Sequence, residues 1–215
     1  MNVTHFISAL ENELKNELPG RDIQYEMAPK DRAHLYDEEI NPKLPEKAAV
    51  LILLYPKNGS INTVFIQRTD HPGAHRGQIS FPGGRYEVSD RELSTTALRE
   101  TGEELGISTR NIRIIGKLTP LYISVSNFEV FPYVGIMPVE AEFEIEKEEV
   151  QFTITETIPS LQDPSIIGEL RIKTESRSIL APCYNVQGFK IWGATAMMLR
   201  EFLEVVKKAG INSEL

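Results

Sequence analysis

The stretch AAVLILLY, residues 48–55, restricts this chain more than any other. An unbroken apolar run has no polar side to turn toward water, so a strand made from it must be covered on both faces. Lys57-Asn58-Gly59-Ser60 follows as a turn, and NTVFIQR (62–68) supplies a second strand, so the two are expected to pair as a hairpin. Further strands are expected in NIRIIGKL (111–118), NFEVFPYVGIMPV (127–139) and QFTIT (151–155). RIKTESRSILAPCYN and GFKIWG read as a hairpin around Val186-Gln187-Gly188. Apolar residues at helical spacing, Phe6, Ile7, Leu10, Leu14 and Leu18, predict an amphipathic helix over about 3–18 that Pro19-Gly20 stops. ATAMMLREFLEVVKKAG predicts a closing helix whose Leu, Met, Phe and Val stripe belongs to the core. Strands, an internal helix, more strands and a final helix give an α/β (α+β) class, a mixed sheet sandwiched between helices. Residues 1–45 read as a helix plus a polar, irregular lead-in, and 46–210 as the main domain.

Composition narrows the function classes. With 215 residues, 41% hydrophobic, the chain has enough apolar material for one globular core. The formal net charge of −8 disfavours a nucleic-acid partner, which would need many phosphate contacts. No stretch approaches the roughly 18–20 apolar residues that span a bilayer, and the N-terminus lacks the apolar core of a secretory signal, so no membrane partner is expected. The single cysteine, Cys183, excludes an internal disulfide, reads as a buried strand residue and suits a cytoplasmic location. His71 and His75 are four apart, but Pro72-Gly73 between them argues against a helical metal pair.

The chemistry concentrates in FPGGRYEVSDRELSTTALRETGEELGI, 81–107. Ser89 or Asp90 is placed to cap a helix running to about Leu105, with Gly106 just past its end. At about 100° per residue, Glu100, Glu103 and Glu104 share an arc of roughly 100°. Such a face is either solvated, with Arg91 and Arg99 softening the repulsion, or neutralised by a divalent cation that takes oxygen ligands. Gly83-Gly84 lets the backbone turn tightly and approach a ligand closely.

Gly84 followed by Arg99-Glu100-x-x-Glu103-Glu104-x-Gly106-Ile107 resembles the signature of the Nudix hydrolases, G-x5-E-x7-R-E-U-x-E-E-x-G-U, with U bulky and apolar. Thr101 stands at a U position. The isolated acid is Asp90 rather than glutamate, and eight residues rather than seven separate it from Arg99. That expansion is similar to the coenzyme A pyrophosphatase branch, as are Phe65 to Arg68, the H-x-G-Q-x-x-FPGG of His75 to Gly84, VFPYVGIMP (130–138) and IWGATAMMLREFL (191–203). The branch pattern has an arginine where this chain has Gly73.

The resemblance implies Mg²⁺- or Mn²⁺-dependent attack of water on a diphosphate of a small nucleoside derivative, with coenzyme A or acyl-CoA giving 3′,5′-ADP and 4′-phosphopantetheine. Nucleotide sugars, dinucleotides or nucleoside triphosphates are the alternative substrates, and a non-catalytic module is a third reading. The implied metal ligands are Glu100, Glu104, Glu103 and the carbonyl of Gly84. Arg99 orients the glutamates, Glu103 shares a metal or orients its waters, and one of the helix glutamates or Glu149 serves as base. Arg68, His75 and Gln78 face the substrate, and a homodimer is common in such proteins.

Overall fold

The computed structural model describes residues 3–29, 43–69, 77–173 and 178–211. His71 and His75, with Gly73, lie outside the described residues.

The apolar run forms the middle of β1 (Glu46–Lys57), and Asn58-Gly59 turns it into antiparallel β2 (Ser60–Arg68) with Leu54 opposite Thr63. Alternation along β1 explains why the run is apolar throughout. Ala49, Leu51, Leu53 and Tyr55 enter one core, while Ala48, Val50, Ile52 and Leu54 enter another. The first core is closed by Ala97 and Leu105 of helix α3 (Leu93–Leu105); the second is closed largely from the closing helix and the N-terminal helix α1 (Val3–Glu13).

Short strands β3 (Ile79–Ser80) and β4 (Gly83–Arg85) add to β2 and β1 respectively. After α3 come β5 (Arg113–Lys117), β6 (Leu121–Ile123), β7 (Phe128–Ile136) and β8 (Val150–Thr157). β7 lies parallel to β1, from Glu46 opposite Phe128 to Leu54 opposite Ile136, whereas β8 is antiparallel to β2. The sheet is therefore mixed, in the order β3-β2-β1-β7-β5, with β4, β6 and β8 attached to β1, β7 and β2.

Beyond helix α4 (Ile158–Gln162), strands β9 (Ile167–Lys173), β10 (Ser178–Val186) and β11 (Phe189–Trp192) build a separate sheet, ordered β11-β10-β9. The hairpin at Gln187-Gly188 is the expected one, but the segment before it is two antiparallel strands rather than one. Closing helix α5 (Gly193–Lys208) follows, its stripe buried as expected, and Cys183 is buried in β10. Among the described residues no helix is long and apolar enough to cross a membrane.

Two local readings need correction. The lead-in contains a short helix, α2 (Gly20–Tyr25). It is held from outside the segment: the buried Glu201 of α5 accepts from Gly20 N at 3.1 Å, Gln24 Nε2 at 2.7 Å and Thr119 Oγ1 at 2.6 Å. Neither Ser89 nor Asp90 caps α3. They form a 3₁₀ turn, Val88–Asp90, and Glu92 precedes the helix without a side-chain cap. Asp90 is occupied elsewhere.

Candidate active site

The site is built where β4 passes under α3. Gly83 sits at φ 143°, and a Cβ there would collide with the Ala49 carbonyl and Val50 Cα of β1. A Cβ at Gly84 would strike the carboxylate of Glu100. The paired glycines thus allow one face of α3 to press its acids directly onto the β4 backbone.

Those acids occupy three different environments. Glu104 is fully buried; its Oε2 accepts from Gly83 N at 2.8 Å. Its Oε1 is 3.1 Å from Arg68 Nη2 yet has no hydrogen bond of acceptable geometry. Burial pushes its pKa up to about 7, against the lowering pull of Arg68. Arg68 Nη2 also donates to the Gly83 carbonyl. Glu100 is mostly covered and lies 2.9 Å from Arg99 Nη1, and burial raises its pKa too. Glu103 is exposed and accepts from Arg99 Nη1 at 3.0 Å.

Arg99 itself is clamped. Its Nε and Nη2 donate to the two oxygens of Asp90 at 2.8 and 3.1 Å, and Nη2 reaches the Arg85 carbonyl at 3.2 Å. Asp90 is buried and accepts as well from Thr96 Oγ1 at 2.9 Å and Glu87 N at 3.0 Å. The hydrogen bonds from Arg99 hold its carboxyl well below the usual carboxylate range. This bidentate pair fixes Arg99 against the helix. Sequence reasoning, which places Asp90 as a candidate helix cap, misses this contact, although the isolated acid upstream of the arginine is its signal.

Among the described residues, no three His, Cys, Asp or Glu side chains converge in metal-holding geometry. Guanidinium groups occupy the space between the acids instead: Arg99 bridges Glu100 and Glu103, and Arg68 faces Glu104. The donor set nevertheless fits a hard divalent cation. It offers carboxylate oxygens, and one of them, Glu104 Oε1, is buried without a hydrogen bond.

A cavity of about 630 Å³ opens beside the glycines. Arg68, Gln78, Gly83, Gly84 and Glu149 all line it, which brings these candidates together. Gln78 is further fixed to β2, its carbonyl accepting from Arg68 N at 3.1 Å. Glu149 is exposed in the turn before β8, and its charge helps to raise the pKa of Glu104. His75 lies outside the described residues.

A family model described as NUDIX domain matches residues 45–162, from the start of β1 to the end of α4 and across the whole acid helix. The chain belongs to the Nudix family. Two relatives share 33% identity with this Nudix chain, both called uncharacterized Nudix hydrolase NudL. The one from Enterobacter sp. (strain 638) aligns over 72% of the chain and 80% of its own length; the one from Yersinia pestis (strain Pestoides F) over 74% and 79%. Among solved structures, the MutT protein from Methanosarcina mazei Go1 is similar in fold, with a TM-score of 0.52 at 16% identity over 80% of this chain and all of that one. This Nudix protein is accordingly a hydrolase of pyrophosphate bonds in a nucleoside diphosphate derivative, from a family that generally uses divalent metal ions.

Proposed function

We propose that this Nudix hydrolase cleaves the diphosphate of coenzyme A or its acyl thioesters, releasing 3′,5′-ADP and 4′-phosphopantetheine or its acylated form. The observation that carries this reading is the junction of the buried acid helix with a largely apolar chamber at Gly83-Gly84. It is supported by the segments similar to the coenzyme A pyrophosphatase branch, four of which, at 65–68, 75–84, 130–138 and 191–203, include residues lining that chamber.

Glu104 and Glu100 would hold Mg²⁺ or Mn²⁺, with Glu103 and the Gly84 carbonyl as further oxygen donors. When bound, such an ion neutralises diphosphate charge and acidifies a water. Arg99 is a positioning residue, locked by Asp90 so that Glu100 and Glu103 keep their direction. Arg68 and Gln78 lie where they can bind the substrate's anionic link from the β2 side, and His75 is assigned to the same task. Glu149 on the chamber rim takes a proton from the attacking water, Glu103 being already engaged by Arg99. The water oxygen forms a bond to one phosphorus, and the bond from that phosphorus to the bridging oxygen breaks.

The test is a Mg²⁺-supplemented comparison of coenzyme A, ADP-ribose, NADH, diadenosine polyphosphates and dNTPs, with products identified by mass. Coenzyme A or an acyl-CoA should show the highest kcat/KM and yield 3′,5′-ADP. Turnover of another member with none of either would refute the assignment.

A further inference from the structure

The chamber beside Gly83-Gly84 has a charged end and a much larger apolar lining. Its charged lining residues among those described are Arg68, Arg85 and Glu149, and each is tied to the glycines or the acid helix. Arg68 donates to the Gly83 carbonyl, Arg85 follows Gly84, and Glu149 contributes to the charge felt by Glu104. Most of the remaining lining is apolar, including Ile123, Phe128, Ile172, Ile179, Trp192 and Met198.

The last four of these residues come from β9, β10, β11 and α5, beyond residue 162 where the Nudix match ends. The family portion of the chain therefore carries the acids, while the following sheet and closing helix supply apolar cover. Polar amides and hydroxyls of a substrate find few partners against such a lining, and burying them unpaired is costly. Methylenes gain from the same burial. The volume, about 630 Å³, is that of a small-molecule site.

We infer that this apolar cover receives the acyl chain of an acylated pantetheine arm, so that the enzyme prefers longer acyl thioesters of coenzyme A to coenzyme A itself. The 3′,5′-ADP half then remains toward the charged end. This inference rests on the diphosphatase reading above, but it can fail separately.

Trp192 is the only tryptophan in the chain, so its emission reports chamber occupancy without turnover. Titration with S-octanoyl pantetheine, which has no diphosphate, should change that emission at concentrations where unacylated pantetheine does not. In Mg²⁺-supported turnover, each buried methylene is worth roughly fourfold in binding. KM should thus fall by at least about tenfold from acetyl-CoA to octanoyl-CoA, with kcat nearly constant, as expected for uniform binding. Ile172→Asp should flatten this series. Val125→Asp, at a lining position 57% exposed and so tolerant of a carboxylate, should do the same if Ile172→Asp fails to fold.

A KM independent of chain length, or emission unmoved by S-octanoyl pantetheine, overturns the inference while coenzyme A cleavage leaves the diphosphatase reading standing. Absence of cleavage of both coenzyme A and its thioesters overturns the diphosphatase reading. The Trp192 titration then decides the chamber's occupant alone.

Discussion

Arg68, at the end of β2, places Nη2 3.1 Å from Oε1 of the fully buried Glu104 on α3. The two residues are far apart in sequence, and the same guanidinium nitrogen donates to the Gly83 carbonyl. A cation held at this point is the condition under which an ionised carboxylate can remain buried. Arg68 supplies that charge to Glu104 across the sheet, in the same place where a hard metal ion would need its oxygen donors.

Glu104→Gln tests the carboxylate without removing the acceptor for Gly83 N. The variant should retain its melting temperature to within a few degrees yet lose more than about 100-fold in Mg²⁺-dependent kcat, the upper range for residues that merely support a metal site. Arg68→Met should lower unfolding free energy by about 1–3 kcal/mol, because it leaves a buried acid unpaired. Combining the two changes should restore most of that loss, since no ionised group then remains to be neutralised. Urea unfolding of the wild type and the three variants in EDTA measures the coupling; strictly additive losses would show that the pair does not interact.

Asp90 and Arg99 make a pH-dependent contribution whose sign follows from the lowered Asp90 pKa. A carboxyl that is more acidic folded than unfolded binds fewer protons when folded, so its stabilisation is complete above its unfolded pKa, near 3.8. That contribution disappears as pH falls below this value through the folded pKa. This contribution should therefore leave urea midpoints unchanged from about pH 7 to about pH 5 and lower them from about pH 4 to about pH 2, and Asp90→Asn should show a shallower fall over that acid range. The same variant should lose about 10–100-fold in activity at neutral pH, because Arg99 loses its bidentate anchor. Unchanged pH dependence in Asp90→Asn would contradict the role assigned to the pair.

Glu201 anchors the N-terminal segment to the closing helix through Gly20 and Gln24, and also accepts from Thr119 between β5 and β6. Glu201→Ala removes both acceptor oxygens and strands several donors in a buried location, at a cost of about 2–4 kcal/mol. Glu201→Gln keeps one acceptor oxygen and should lose less. Chemical denaturation gives the stability order wild type, Gln, Ala, and equal stability of the two variants would show that the retained acceptor oxygen contributes nothing.

The amino-acid sequence alone was enough for features governed by neighbours along the chain. The unbroken apolar character of 48–55 implied a strand covered twice, the Asn58-Gly59 turn implied its hairpin with β2, and the spacing of Glu100, Glu103 and Glu104 implied one acidic face of a helix, which is α3. Each depends on the period of a strand or helix, which a linear sequence displays directly. Folding alone decided that the three glutamates have unequal burial, that Asp90 clamps Arg99 rather than capping α3, that Arg68 meets Glu104, and that β9 to α5 wall the chamber. Those outcomes depend on which distant elements pack together. Electrostatic pairing and desolvation act through space, and periodicity carries no record of the partner on the far side of the sheet.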